Sequence, residues 1–141
     1  MIGAPSDLAP SAEVALGFHV ALEAKDFEAF ADLWTPDAVN ELPFHSPVSP
    51  PALDGREAIV ADYRAMITKR KDLQFTIHSV IVDESAEHVV VEFSGRSIIG
   101  ETGTVYKQDY IGVFTVEGTR LSRLRLYADP QRAAAALKAI R

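Results

Sequence analysis

His88-Val-Val-Val-Glu-Phe-Ser-Gly-Arg96 and Thr104-Val-Tyr-Lys-Gln-Asp-Tyr-Ile-Gly-Val-Phe-Thr-Val116 are the segments that decide the fold. Both are rich in β-branched and aromatic residues and alternate apolar with polar side chains, the period of a half-buried strand. In the first, Val89, Val91 and Phe93 share one face; in the second, Tyr106, Gln108, Tyr110 and Phe114 do. The intervening Gly100–Gly103 reads as a hairpin turn, which makes the two strands antiparallel neighbours. A one-residue slip would exchange the faces, and the assignment follows the more apolar set.

The same period extends in both directions. Upstream, Phe75, Ile77, Val80 and Val82 belong to a strand region beginning near Leu73 and closed by a turn at Asp83–Glu87. Downstream, Glu117-Gly118-Thr119 turns the chain into a strand over Leu121–Tyr127, with Leu124 and Leu126 inward. The outer faces then carry Glu92, Ser94, Arg96, Lys107, Asp109, Arg123, Arg125 and Tyr127. Pro130 to Arg141 is alanine-rich and predicts a terminal helix opened by a proline at its first position.

Before Leu73 the period is 3.6. Val14, Phe18, Ala21 and Leu22 form one stripe of a first helix beginning near Ser11. Asp26 is placed to cap a second, whose Phe27, Phe30, Ala31 and Trp34 repeat the pattern until Pro36 ends it. A short strand is expected over Ala38–Phe44, then a loop in which Pro47, Pro50 and Pro51 forbid regular structure. Asp54 and Glu57 suggest the cap of a third helix, with Ile59, Tyr63, Met66 and Ile67 on its buried face. Lys69-Arg70-Lys71 reads as the solvated end of that helix. Residues 1–10 form a short arm and residues 11–141 a single α+β domain, helices covering one face of a curved sheet.

Composition narrows the partners. The 141 residues carry a net charge of −6 and no basic cluster interleaved with aromatics, which argues against a nucleic-acid partner. With no cysteine there is no disulfide, thiolate metal site or cysteine nucleophile. Met1 to Pro10 lacks a basic region and a long apolar run, so it does not read as a signal peptide. No stretch approaches the roughly 18 apolar residues of a membrane span, and a cytoplasmic protein is expected. His19, His78 and His88 lie on different elements, and no metal site is expected. No glycine-rich phosphate cradle or nucleophile elbow occurs, so no cofactor is expected either.

Four segments carry a family resemblance: Lys25-Asp-Phe-Glu-Ala-Phe-Ala-Asp-Leu-Trp-Thr-Pro-Asp-Ala38, Leu53-Asp-Gly-Arg-Glu-Ala-Ile59, Tyr106-Lys-Gln-Asp-Tyr110 and Arg125-Leu-Tyr-Ala-Asp-Pro130. From about Ser11 to the end, the chain resembles the NTF2-like superfamily, in its SnoaL-like and ketosteroid-isomerase-like branch. The resemblance implies a cone-shaped, cystatin-like fold: three N-terminal helices on a curved, mainly antiparallel sheet, with a short C-terminal helix. It also implies a largely apolar pocket for a small hydrophobic molecule.

The resemblance does not supply that branch's isomerase machinery. Ketosteroid isomerase works with a carboxylate base and an oxyanion hole of a tyrosine and a protonated aspartate. By resemblance the tyrosine falls on Phe18, the base on Leu42 and the aspartate on Tyr110 or Ile111. None of these retains the needed group. The acid of the epoxide-hydrolase members falls on Leu126, and that of the polyketide cyclases near Asp129, which is equally a natural helix cap.

What remains is a set of candidates. His45, at the mouth of the proline-rich loop, has the titration range of a general base. Tyr110 and Gln108 are candidates to orient a ligand carbonyl, alongside Tyr106. Asp109 is a reserve acid if a bulge turns it inward, and otherwise pairs outside with Arg123 or Arg125. Glu41 is expected to point away. Phe18, Trp34, Leu42, Tyr63, Val91, Phe93, Leu124 and Leu126 complete the expected ligand-binding set. The expected activity is a cofactor-independent isomerisation, cyclisation or hydration of a small hydrophobic carbonyl or cyclic compound. The alternative is a non-catalytic binding or dimerisation module. Arg96, Arg123, Arg125, Ile111 and Tyr127 on the outer sheet face suggest a homodimer.

Overall fold

The computed structural model describes residues 8–47 and 49–140. Most of the expected arm over residues 1–10 lies outside the described residues, and helix α1 already begins at Pro10. The order is α1 (Pro10–Ala24), α2 (Phe27–Asp32), β1 (Trp34–Glu41), β2 (Ala52–Asp54), α3 (Arg56–Ile67), β3 (Arg70–Val82), β4 (His88–Ile99), β5 (Thr104–Glu117), β6 (Arg120–Ala128) and α4 (Pro130–Ile140). One curved, unclosed sheet runs β2-β1-β6-β5-β4-β3. The consecutive hairpins are antiparallel, and β1 joins β6 in parallel.

The inner faces are those the alternation predicts. Val89, Val91, Phe93, Phe114 and Leu124 are buried beneath the helices. Phe18 on α1 stands at the centre of the core, its ring 5.5 to 6.4 Å from the rings of Phe30, Trp34, Tyr63 and Phe114. Burying aromatic side chains in this way stabilises the fold by about 1.5–3 kcal/mol each.

Three local expectations are corrected. Helix α2 stops at Asp32 after Asp26 has capped it, accepting from Ala29 N–H at 3.0 Å. Trp34 opens β1 instead, because Leu33 C=O accepts from Leu121 N–H at 2.7 Å and starts a ladder with β6. Pro36 lies where that ladder is interrupted, between Trp34 and Val39, so its missing N–H leaves no ladder bond broken. Asp54 does not cap α3. It pairs with Val39 at the end of β2, and the cap is Gly55, at φ 92°, a conformation only glycine adopts without strain. Finally, Lys69-Arg70-Lys71 is not a solvated helix end, since β3 begins at Arg70.

Candidate active site

Helices α1 and α3 do not fill the concave face of the sheet, and a cavity of about 270 Å³ remains. Its depth is apolar: Phe18 and Leu22 from α1, Met66 and Ile67 from α3, Phe93 from β4 and Leu126 from β6. The loop after β1 and the start of α4 frame the mouth through Leu42, Phe44, His45, Asp129 and Ala133. This size suits a mono- or bicyclic molecule, near the lower end of ligand pockets at roughly 300–1,000 Å³.

The polar groups on and behind this wall come from α3, β1, β3 and β5, from the loop after β1 and from the β6–α4 junction. On α3, Tyr63 donates its hydroxyl to Asn40 Oδ1 at 2.5 Å. Asn40, fully buried on β1, turns its amide nitrogen to the carbonyls of Glu41 and Leu124 at 3.3 and 3.4 Å. Asp62, beside Tyr63, lines the cavity half-buried, with no hydrogen-bond or ion-pair partner among the described residues. Burial raises its carboxyl above the ordinary aspartate value of 3.8.

On β5, Tyr110 stacks on Phe93 with ring centroids 4.7 Å apart. Burial pushes its phenol far up, the neighbouring Tyr106 adds to this, and the Arg70 guanidinium pulls the other way. The group therefore remains a neutral donor at any physiological pH. Tyr106 and Tyr110 both line the cavity. Arg70 lies over the Tyr106 ring, 4.7 Å from its centroid, and also lines the cavity.

Gln108 faces inward, but its amide is committed to the wall. Its Nε2 donates to Tyr106 Oη and to the Asp129 carbonyl, both at 2.9 Å, and its Oε1 accepts from Asp129 N–H at 3.1 Å. Gln108 therefore holds the β6–α4 junction and orients Tyr106, with no free amide edge for a ligand. Asp129 caps α4, accepting from Gln131 N–H at 2.8 Å, while also bordering the cavity mouth.

His45 is exposed at that mouth. Its Nδ1 is 3.2 Å from the Leu42 carbonyl, which can only accept, so Nδ1 carries the proton and Nε2 is left as the basic nitrogen. Asp109 points outward and pairs with Arg132 of α4 at 3.0 Å, not with Arg123 or Arg125. The strand runs on without a bulge at Asp109, so nothing turns it inward. Arg123 instead pairs with Glu41, which points away as expected.

The structure thus brings Phe18, Leu42, His45, Tyr63, Phe93, Tyr106, Tyr110 and Leu126 to one cavity. Trp34, Val91 and Leu124 are wholly buried in the core behind it, and Gln108 and Asp109 do not reach it. Asp62 and Arg70 were missed by the sequence reading. Asp62 stands three residues after Ile59 and four before Met66, so an acid on the edge of the apolar stripe was a usable signal. Among the described residues no group of three or more His, Asp or Glu is placed to hold a metal ion, and no helix is long and apolar enough to cross a membrane.

The family profile described as SnoaL-like domain matches residues 15–124. The chain belongs to the SnoaL-like family. YesE of Bacillus subtilis is 32% identical to this SnoaL-like chain over 114 residues, 80% of this chain and 77% of that protein. A crystal structure from Bacillus subtilis, provisionally described as an isomerase, superposes with a TM-score of 0.83 at 27% identity, covering 92% of this chain and 94% of that one. RV0760c of Mycobacterium tuberculosis, in complex with estradiol-17beta-hemisuccinate, gives a TM-score of 0.78 at 19% identity, covering 89% and 98%. The fold is the NTF2-like one.

Proposed function

We propose that this SnoaL-like chain is a cofactor-independent acid–base enzyme, an isomerase, cyclase or hydratase of a small hydrophobic carbonyl or cyclic compound. The observation that carries the reading is one half-buried carboxyl, Asp62, unpaired among the described residues, sharing an apolar cavity with the phenols of Tyr106 and Tyr110. A carboxyl raised by burial moves toward the pH at which a base both exists and holds the proton it takes. In the isomerase form, ionised Asp62 removes a proton from the carbon beside a carbonyl. The electron pair moves onto the carbonyl oxygen, where Tyr110 O–H donates a hydrogen bond to the oxyanion. Asp62 then returns the proton to another carbon, and no atom is gained or lost. Such a donor, preorganised away from water, is worth about 10²–10³ in rate. His45 is the second proton carrier, at the solvent edge.

A non-catalytic binding or dimerisation module is the second reading. It is favoured by the Tyr63 hydroxyl and the Gln108 amide, both committed inside the wall. Deuterium exchange into an unsaturated cyclic ketone, followed by NMR, separates the two. Asp62→Asn is expected to lose on the order of 10²-fold or more, and Tyr110→Phe on the order of 10²-fold. His45→Ala is expected to lose less. Exchange at the buffer rate in the wild type, or equal rates in all four proteins, leaves only the binding module.

A further inference from the structure

Arg70 is the one permanent cation on the described lining of the cavity. No carboxylate among the described residues comes within ion-pair distance of it. Among the described residues nothing accepts from its buried Nε–H. The two carboxylates on the described lining do not relieve it: Asp129 is held by the α4 start and Arg132, and Asp62 has no ion-pair partner among the described residues. The residue is not loose. Its backbone pairs with Ile99, its carbonyl accepts from the Lys25 ammonium, and its guanidinium is stacked on Tyr106.

A guanidinium fixed by its face offers its edge, and a buried charged donor with no acceptor is unfavourable unless something supplies one. The planar fork matches a carboxylate through two parallel N–H···O bonds, geometry that a lysine cannot reproduce. We propose that the ligand of this cavity is a small apolar carboxylic acid, its carboxylate taken by Arg70 and its apolar body lying against Phe18, Phe93 and Leu126. This rests on the reading of the cavity as a small-molecule site and adds the acid group to it.

The test is isothermal titration of the full chain with naphthalene-2-carboxylate and with its neutral isostere naphthalene-2-carboxamide. The acid is expected to bind at least tenfold more tightly, and Arg70→Met is expected to remove that preference while keeping amide binding. Arg70→Lys, with charge but no fork, is expected to retain part of it, and it serves if the methionine variant does not fold. Equal binding of acid and amide to the wild type overturns acid recognition and leaves the apolar pocket standing. A preference that persists undiminished in both variants overturns the assignment to Arg70. Binding of neither compound overturns this proposal and the pocket reading together. Acid preference with no ketone exchange leaves the proposal intact and removes only the catalytic reading.

Discussion

Tyr63 on the third helix donates its hydroxyl to Asn40 on the first strand across 2.5 Å, with both side chains buried. This bond ties the helical cover to the sheet behind the cavity. Tyr63→Phe leaves the Asn40 carbonyl oxygen buried without its donor. The expected loss is about 1–3 kcal/mol of stability, read from the urea midpoint. Ligand binding in the cavity is expected to change much less, because the hydroxyl already serves the wall. An unchanged midpoint would show that the bond adds nothing net.

His19 makes folding sensitive to acid. It is buried among Phe18, Phe75, Phe93 and Phe114, and burial lowers its pKa from 6.5 to about 4. Between these values the unfolded chain takes up a proton that the folded chain refuses. Stability is therefore full above pH 6.5 and falls as the pH drops toward 4, by on the order of 3 kcal/mol across the window. Denaturation midpoints at pH 7 and pH 5 are expected to diverge in the wild type and to converge in His19→Leu.

Gly95 gives the Tyr110 ring its place. A Cβ there would meet the Phe75 ring at 3.2 Å and Tyr110 Cε2 at 3.3 Å. Gly95→Ala therefore pushes on both rings, with an expected stability loss of about 1–3 kcal/mol. It is also expected to cut ketone exchange several-fold by moving the phenol. Exchange equal to wild type would mean that the position of Tyr110 is not critical.

The outer sheet face carries Ile111, 42% exposed, near Arg125 and Tyr127. We expect it to be the contact of a homodimer. Light scattering at micromolar concentration should then give twice the chain mass, and Ile111→Glu should return it to one. A monomeric wild type would dispose of the dimer.

Much of the sheet was readable because a period of two leaves little choice once Val89, Val91 and Phe93 face one way. Residues 104–116 followed the same rule, with Phe114 buried and Asp109 outside. The failures lie where a residue's role depends on a partner far along the chain. Trp34 suits a helical stripe as well as a strand, and only Leu121 decides between them. Arg70 sits between two lysines and reads as solvated charge until strand pairing with Ile99 sets its direction. Gln108 was correctly placed inward, but its amide partners at Asp129 are 21 residues away and invisible to alternation. Asp62 is legible in principle, as an acid at the edge of the apolar stripe of α3.

The parallel joint between the first and last strands has a consequence for synthesis of the chain. Asn40 meets Leu124 across 84 residues of sequence, so the wall behind Tyr63 cannot close until the final hairpin has emerged from the ribosome. Until then Trp34 and Phe18 lack their cover and stay sticky. Contacts this distant slow folding and lengthen the interval in which a nascent chain can aggregate. The cavity is therefore among the last features of the molecule to mature.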